Sequence, residues 1–476
     1  MELFDLRKKI DAIDGELLEL FKKRMRVSKK AAEYKKENNL PVYDAVREQE
    51  IQKRASEKAG ELAPYAQAFF SNILRLSAAY QFSLSGKYGL VGENLSYSYS
   101  KFIHDRLSAY DYELISLDKG GFDRFITSRG FLGLNITNPY KQAVIPYCDE
   151  ITNIASETNC VNTVYKKCGR LIGTNTDCDG FMYMLGRSGI SLEGKKVLIL
   201  GAGATSRTIK HCASLSGAAE TVTAGRGHDF SKSRGAEIII NATPVGTFPE
   251  NGGKIIDLSD FPECKGVLDV VYNPLRTELL LRAKEYGIPH SNGLPMLVAQ
   301  ATKAAELFTG TNYSDNNEKL LDMLNASVQN IVLIGMPGAG KTTAGRQTAE
   351  KAGMKFVDLD EAVERGAGMS IPDIFSKYGE DYFRDLESRA AKEYGKKSGF
   401  VIAAGGGIVT RKENMDALSQ NAVVIFLDRE TEKLETKGRP LSKDINTLKK
   451  MYEERLPLYE KYCDYILRPH SSFKIE

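Results

Sequence analysis

Residues 331–343 read IVLIGMPGAGKTT and decide the fold of the C-terminal part of the chain. The stretch matches G-x-x-x-x-G-K-[ST] directly after an apolar run, which predicts a buried strand, a phosphate-binding loop and a helix. In such a loop the glycines let backbone N–H groups surround phosphates, Lys341 reaches the β- and γ-phosphates, and Thr342 binds Mg²⁺. The alternative is a chance match in an ordinary turn. The stretch favours a P-loop α/β domain that binds ATP and Mg²⁺.

The segments after this loop predict a site for a small acidic acceptor. FVDLDEAVE places Asp358 and Asp360 two residues apart on one side of a strand end, where Asp358 can hold Mg²⁺ and Asp360 can orient a hydroxyl. AAGGGIV is a triple glycine that lets a ligand approach the backbone. Arginines suited to a carboxylate and to phosphates follow at three places: Arg384, Arg439 and Arg455.

Residues 329–470 resemble the shikimate kinase family. The resemblance implies that Asp360, Arg384, Gly406 and Arg455 bind shikimate, with Asp360 and Lys341 catalytic. It places Arg439 on a lid that closes over ATP, and the lid here, ETEKLETKGRPLSKD, is short and reads RPLS instead of RPLL. The implied ATP-binding residues of the loop are Gly338, Ala339, Gly340, Lys341, Thr342 and Thr343.

Upstream, residues 195–207 read KKVLILGAGATSR, a pattern typical of a dinucleotide-binding strand, glycine turn and helix. An ordinary tight turn is the alternative. The next strand, TVTAGR, ends in Arg226, where an NAD site usually carries an acid. Because an arginine suits the 2′-phosphate, we expect NADP(H). Short β-branched runs alternate with helical ones from about 86 to 325, which predicts a parallel sheet.

Polar residues around this pattern suit a polyhydroxylated carboxylic acid, although each alone fits a loop or cap role. The segments that contain them resemble the shikimate dehydrogenase family over most of residues 88–310. The motifs are S-x-S, N-x-T-x-P-[YF]-K, VNT, NTD, GAGxxS, NATP, D-x-x-YNP and NG-x-x-MLV-x-Q.

That resemblance makes Lys141 and Asp177 the catalytic pair, which transfers the proton while NADPH gives hydride. The implied substrate residues are Ser98, Ser100, Thr137, Lys141, Asn162, Asp177, Tyr272 and Gln300. The implied cofactor residues are Gly201, Ala202, Gly203, Ala204, Thr205, Arg226, Val270 and Gly293. Only GHDFSKSRG separates Arg226 from the next strand, so the adenine side of the cofactor site is abbreviated.

The N-terminal segment shows a heptad seam, with spacings of three and four between apolar residues. The seam consists of Leu3, Leu6, Ile10, Ile13, Leu17, Leu20, Val27, Ala31 and Tyr34. Arg24 continues it between Leu20 and Val27, where a charge is costly unless paired or unless the side chain extends to solvent. Lys35 follows three helical turns later. Further polar residues at helical spacing are Asp44, Arg47, Glu48, Ser77 and Gln81.

Residues 1–85 resemble the all-helical chorismate mutase family through LRKKIDAIDGELLELFKKRM and V-x-D-x-x-RE-x-E. The resemblance implies that Arg7, Arg24 and Arg47 bind two carboxylates, while Lys35 and Gln81 flank the breaking ether bond. Asp44, Glu48 and Ser77 would hold the ring hydroxyl and its neighbours. The implied reaction is a unimolecular rearrangement, which requires no nucleophile. Holding a compact conformer and stabilising the charge that develops on the ether oxygen are enough to catalyse it. The implied catalytic residues are Arg24, Lys35 and Gln81.

Arg7 and Arg24 lie seventeen residues apart in the sequence, or roughly 25 Å along one helix and on different faces. One copy of the helix cannot hold a small ligand with both. We therefore predict an intertwined homodimer in which Arg7 reaches the partner's site.

The bulk composition excludes other classes of protein. Lys and Arg number 65 and Asp and Glu 62, so the net charge of +3 argues against a nucleic-acid partner. No apolar run is long enough to span a membrane, and the amphipathic start lacks a signal-peptide pattern. Seven scattered cysteines favour the cytoplasm.

The predicted protein is multidomain, with an all-α head and two α/β domains. Its predicted domains are the mutase (residues 1–85), the dehydrogenase (86–326) and the kinase (327–476). Within the dehydrogenase, residues 86–190 and 290–326 are predicted to bind the substrate and residues 191–289 to bind NADP. Two alternatives stay open: the head is a non-catalytic dimerisation or regulatory module, or the enzymes act on quinate or another small hydroxy acid.

Overall fold

The computed structural model describes residues 3–38, 45–85, 87–107, 110–430, 434 and 445–468. Its head consists of helices α1 (Leu3–Glu37), α2 (Ala45–Ala59) and α3 (Ala63–Ser85), and α3 packs against both others. The predicted helical head is therefore confirmed. The large seam residues of α1 are 43–67% exposed in the single chain: Leu3, Leu6, Ile10, Ile13, Leu17, Leu20, Val27 and Tyr34.

A six-stranded sheet in the order β2-β1-β3-β5-β6-β4 follows the head. Its strands are β1 (Lys87–Gly92), β2 (Tyr112–Ser116), β3 (Phe131–Ile136), β4 (Glu150–Ile151), β5 (Thr163–Lys167) and β6 (Arg170–Thr174). The helices that accompany it are α4 (Ser100–Leu107), α5 (Lys119–Ser128), α6 (Asn153–Thr158) and α7 (Asp177–Ser188).

The prediction of a parallel sheet is wrong for this part of the chain, because β5 pairs antiparallel with both β3 and β6. Cys168 and Gly169 connect β5 to β6 with φ values of 51° and 76°. Two residues with positive φ form the tight turn whose twist suits a hairpin, so the chain reverses here instead of crossing over through a helix.

A second sheet, in the order β11-β10-β9-β7-β8, is parallel throughout. Its strands are β7 (Lys196–Leu200), β8 (Glu220–Ala224), β9 (Ile238–Asn241), β10 (Gly266–Asp269) and β11 (His290–Ser291). Helices α8 (Ala204–Leu215) and α9 (Glu278–Glu285) connect them, and α10 (Leu294–Thr309) and α11 (Asn317–Val328) follow. Only a short 3-10 turn, Phe230–Ser233, lies between β8 and β9, which confirms the predicted abbreviation.

The third sheet has the order β13-β14-β12-β15-β16 and is also parallel. Its strands are β12 (Asn330–Ile334), β13 (Lys355–Asp358), β14 (Phe400–Ala403), β15 (Ala422–Leu427) and β16 (Tyr465–Leu467). Its helices are α12 (Lys341–Ala352), α13 (Leu359–Ala367), α14 (Ile371–Gly395), α15 (Lys412–Ser419) and α16 (Ile445–Tyr462). The head and these sheets confirm the predicted multidomain fold class.

The chain divides into two compact units. The first comprises Met1–Arg187, Ala202–Ser216 and Pro295–Leu321, and the second comprises Ser188–Gly201, Gly217–Leu294 and Asp322–Glu476. The first unit contains the head and the first sheet, while the second contains the two parallel sheets. None of the described helices is long and apolar enough to cross a membrane.

Candidate active sites

Lys141 and Asp177 form a buried ion pair in the first unit. Nζ of Lys141 lies 2.5 Å from Oδ2 of Asp177, and the two side chains are 11% and 9% exposed. Burial is the largest single influence and disfavours the charged ammonium, but Asp177 and Cys160 together outweigh it, so the pKa of Lys141 lies above its ordinary value. Lys141 is therefore protonated at neutral pH and is able to donate a proton to a substrate oxygen.

The start of α7 positions Asp177, its first residue. The backbone N–H of Asp177 donates to Oδ1 of Asn175 at 3.2 Å, and Nδ2 of Asn162 donates to Oδ1 of Asp177 at 2.8 Å. Oδ1 of Asn162 in turn accepts from the backbone N–H of Thr176 at 2.7 Å. Sequence reasoning identified Asn162 but missed Asn175 and Thr176; an asparagine just before a helix start was the available signal.

The other predicted substrate residues of the first unit lie on separate elements. The hydroxyls of Ser98 and Ser100 lie 3.2 Å apart at the start of α4. Thr137 follows β3, and its N–H donates to Val91. Gln300 lies on α10 and is 8% exposed. Tyr272 belongs to the second unit.

Glycine allows α10 to approach α7 closely. A Cβ on Gly180 would come within 3.0 Å of the Gln300 Cβ and 2.5 Å of the Met296 carbonyl oxygen. Gln300 is thereby held against the helix that begins with the predicted catalytic aspartate.

The predicted cofactor residues lie at the carboxyl ends of the second sheet's strands. Gly201 has φ 114° at the end of β7, and Gly203 is the N-cap of α8. Arg226 is exposed just beyond β8. A Cβ on Gly293 would collide with the carbonyl group of Val270, so only glycine permits this approach. Ala202, Ala204 and Thr205 belong to the same turn and first helical residues.

A cavity of about 650 Å³ opens at the P-loop of the third sheet. Nζ of Lys341 donates to the carbonyl oxygens of Gly335 and Met336 at 2.8 and 2.9 Å. The Thr342 hydroxyl donates to Oδ2 of Asp358 at 2.6 Å, so the two predicted magnesium ligands lie together. The predicted loop residues that line the cavity are Gly338, Ala339, Gly340, Lys341, Thr342 and Thr343.

The expectation that Asp358 and Asp360 share one side of a strand is wrong. Strand β13 ends at Asp358, which caps α13, and Asp360 lies in the first turn of that helix. Oδ1 of Asp358 accepts from the backbone N–H of Asp360 at 3.0 Å. Both carboxylates still line the cavity, because the helix begins immediately after the strand.

The triple glycine makes room for the charged groups of the acceptor site. A Cβ on Gly405 would lie 2.7 Å from both Asp360 Oδ1 and Glu387 Oε1, and one on Gly407 would collide with the Arg384 guanidinium. Nη1 of Arg384 donates to Glu387 at 2.8 Å. Only 1% of the Glu387 side chain is exposed, and its burial raises its pKa despite the nearby arginine.

Gly406 and Arg455 meet at the same cavity, where Nη1 of Arg455 donates to the Gly406 carbonyl oxygen at 2.9 Å. Arg439 lies outside the described residues. Sequence reasoning missed Arg429 and Gln347, which also line the cavity. Gln347 lies on α12, the helix that follows the P-loop, whereas Arg429 follows β15 and reaches the loop only through packing.

In the head, the Arg24 guanidinium donates to the Ser77 hydroxyl, which joins α1 to α3. Ser77 is buried, whereas Arg24, Lys35, Glu48 and Gln81 are half-buried. Arg7 is exposed, far along α1 from Arg24. Arg47 is exposed and pairs with Glu50 at 2.9 Å. Asp44 lies outside the described residues.

Comparison with known families gives three matches along the chain. Residues 6–82 match the model for chorismate mutase type II, residues 90–164 match the shikimate dehydrogenase substrate binding domain, and residues 337–474 match shikimate kinase.

Curated relatives agree with this division. Shikimate kinase from Clostridium beijerinckii is 43% identical over 143 residues, 29% of this chain and 84% of its own length. Shikimate dehydrogenase (NADP(+)) from Clostridium perfringens is 33% identical over 258 residues, 49% of this chain and 95% of its own. The solved chorismate mutase/shikimate 5-dehydrogenase fusion protein from Clostridium acetobutylicum aligns with 50% of this chain and 97% of its own, at 27% identity and a TM-score of 0.47.

The chain therefore belongs to the shikimate dehydrogenase family through its central segment and to the shikimate kinase family through its C-terminal segment. Its head is similar to chorismate mutase type II over residues 6–82.

Proposed function

We propose that this chain is a trifunctional enzyme of aromatic amino acid biosynthesis. Residues 1–85 convert chorismate to prephenate, residues 86–326 reduce 3-dehydroshikimate to shikimate with NADPH, and residues 327–476 phosphorylate shikimate with ATP. The observation that carries the reduction is the buried Lys141–Asp177 ion pair. The reduction and the phosphorylation are consecutive, because the product of one is the substrate of the other.

In the reduction, NADPH supplies the hydride when bound. Lys141, kept protonated by Asp177, donates the proton to the substrate carbonyl oxygen as negative charge develops there. Asp177 and Asn162 hold the ammonium in place. The remaining proposed substrate residues are Ser98, Ser100, Thr137, Tyr272 and Gln300, and Arg226 would face the 2′-phosphate of the cofactor.

In the phosphorylation, Asp360 orients the acceptor hydroxyl, while Arg384 and Arg455 bind the shikimate carboxylate. Thr342 and Asp358 have the oxygen donors that Mg²⁺ prefers and lie 2.6 Å apart, so we assign them to the ion, which would neutralise phosphate charge. Lys341 and the loop N–H groups align the phosphates, with Arg439 closing from the lid.

In the head, Arg24 and Arg47 bind the carboxylates of chorismate, and Lys35 and Gln81 stabilise the ether oxygen. We propose that Arg7 comes from a second copy, because it lies on the same helix as Arg24 but roughly 25 Å away along the axis. The exposed seam of α1 supports such a homodimer. The seven free cysteines support a cytoplasmic location.

Mass spectrometry on one reaction with 3-dehydroshikimate, NADPH and Mg-ATP tests the two consecutive steps. We expect shikimate 3-phosphate, and no new product when NADPH is omitted. Lys141→Ala should stop the reduction, whereas Lys341→Ala should let shikimate accumulate without phosphorylation. Either variant behaving like wild type would contradict the corresponding assignment.

Arg24→Ala tests the head separately. Loss of prephenate formation with both other activities intact supports a catalytic mutase domain. An intact dimer with unchanged prephenate formation would instead favour a dimerisation or regulatory module. Relative rates on shikimate and quinate decide the substrate of the dehydrogenase.

A further inference from the structure

A chain of buried hydrogen bonds runs from Tyr112, on the edge strand β2, to the carboxylate of Asp177. The Tyr112 hydroxyl donates to Oδ1 of Asn135 at 2.7 Å, and Nδ2 of Asn135 donates to Oγ1 of Thr163 at 3.0 Å. Oγ1 of Thr163 donates to Oδ1 of Asn162 at 3.1 Å. Nδ2 of Asn162 completes the chain to Oδ1 of Asp177 at 2.8 Å.

All of the links point in one direction, towards the carboxylate. The Tyr112 hydroxyl donates to the oxygen of the Asn135 amide, and the nitrogen of that amide therefore faces Thr163. Thr163 then accepts with its oxygen and donates onward to Asn162, whose nitrogen is left to face Asp177. Hydrogen bonds aligned in this way polarise one another in a low-dielectric interior.

Burial makes the orientation of these groups consequential. The exposed fractions are 1% for Tyr112, 4% for Asn135, 0% for Thr163 and 3% for Asn162. Because burial keeps these groups from bulk water, removing one partner weakens the hold on its neighbour.

The ring of Tyr112 is held independently of its hydroxyl. It stacks on His104 with centroids 3.8 Å apart. Tyr110 belongs to the same cluster, but its hydroxyl lies 2.6 Å from Nδ1 of His104 and outside the chain that leads to Asp177. The two tyrosines therefore offer matched hydroxyl deletions within one packed cluster.

We propose that Tyr112 is a positioning residue for the Lys141–Asp177 pair, acting through Asn135, Thr163 and Asn162. The inference rests on the proposed dehydrogenase function. Its hydroxyl orients the amide of Asn135 and, through it, Thr163. Thr163 and the backbone N–H of Thr176 together orient the Asn162 donor that holds Asp177 opposite Lys141. Without the Tyr112 hydroxyl, Asn162 holds the carboxylate less firmly, and the proton is delivered from a poorer geometry.

Other titratable groups also surround the pair. They are the thiols of Cys160, Cys178 and Cys212, together with Arg207 near Cys160. Burial raises the pKa of Cys160, so this thiol stays uncharged at neutral pH. Lys141 is therefore the group whose deprotonation is expected to set the alkaline limb of the pH–rate profile, where the rate of reduction falls as the pH rises.

The test compares Tyr112→Phe with Tyr110→Phe in the full-length chain. The steady-state rate of 3-dehydroshikimate reduction is measured for each variant between pH 6 and 11. Kinase activity of the same preparations serves as the folding control. For Tyr112→Phe we expect a fall in kcat of about three- to tenfold, as for the loss of one hydrogen bond, and an alkaline limb at lower pH. The KM for NADPH should not change. Tyr110→Phe should behave like wild type.

Thr163→Val interrupts the chain at another link and should reproduce the shift of the alkaline limb. The proposal is overturned if Tyr112→Phe keeps the wild-type kcat and pH profile, or if Tyr110→Phe shifts the limb equally. It is also overturned if Thr163→Val leaves the limb unmoved. Failure of the dehydrogenase assignment is a separate result, since the wild-type protein would then not reduce 3-dehydroshikimate.

Discussion

At the residue scale, the pH dependence of the reduction depends on the charge opposite Lys141. Burial lowers the pKa of Lys141, but Asp177 and Cys160 together raise it by more, so the pKa lies above its ordinary value. On the proposed mechanism, reduction requires the protonated lysine, so activity is expected below this pKa and is lost as the pH rises through it. Asp177→Asn removes the charge that raises the pKa most, so the pKa falls.

For Asp177→Asn we expect a fall in kcat of about 100-fold or more, the usual contribution of a positioned acid, and an alkaline limb at lower pH than in wild type. Initial-rate profiles of NADPH oxidation measure both. Asp149→Asn is the control, because its carboxylate pairs with Arg129 away from the catalytic pair. An unshifted limb in Asp177→Asn would contradict the role of the carboxylate.

At the element scale, α1 is a helix whose apolar seam is uncovered in the single chain. Ile13 is 56% exposed at its centre. Burying such a side chain stabilises a complex by about 1.5–3 kcal/mol, and a symmetric dimer buries it twice. Ile13→Glu should therefore yield monomers in light scattering and abolish mutase activity, because Arg7 no longer reaches a partner's site.

Leu215→Glu is the matched control for this prediction, since Leu215 is 66% exposed at the end of α8, outside the head. It should leave the oligomer and prephenate formation unchanged. Dimeric Ile13→Glu protein with full mutase activity would exclude the seam as the dimer interface. Dehydrogenase and kinase activities of the same preparation report on folding.

At the scale of the whole molecule, the second unit joins its two parallel sheets through a polar interface. Nε of Arg276 donates to the Ser419 carbonyl oxygen at 2.9 Å, and the same guanidinium donates to that of Ala422. Oδ1 of Asn421 accepts from the Leu275 N–H at 2.8 Å. These bonds attach the loop after the cofactor strand β10 to the segment between α15 and β15 of the kinase.

Arg276→Ala removes the side-chain donor from two part-buried carbonyl oxygens, and each lost hydrogen bond costs about 0.5–1.5 kcal/mol. We expect calorimetry of the wild-type protein to show one concerted unfolding transition for this unit. In Arg276→Ala we expect two transitions, the first of them at a lower temperature than the single wild-type transition. Arg234→Ala is the control, because Arg234 is exposed and lies 3.9 Å from Asp260. An unchanged thermogram for Arg276→Ala would show that the interface does not couple the two sheets.

The sequence by itself determined the domain families, the P-loop and the Lys141–Asp177 pair. The P-loop is encoded in a short contiguous motif whose local geometry follows from its own glycines and strand end. The pairing of Lys141 with Asp177, 36 residues apart in the sequence, is implied by the resemblance of two separate motifs to one family. The sequence also predicted the helical seam of α1, since heptad spacing depends only on helical periodicity.

Only the tertiary structure decided the rest. The first sheet is mixed because a two-residue turn at Cys168 and Gly169 reverses the chain, and Asp360 lies in a helix because β13 ends two residues earlier. Arg429 reaches the P-loop, and Tyr112 reaches Asp177 through Asn135 and Thr163, by packing between distant segments. In sequence Arg429 and Tyr112 look like ordinary surface and core residues, and nothing links the polar residues Asn135 and Thr163 to Tyr112. A hydrogen bond between separate strands depends on register and burial, which no local pattern encodes.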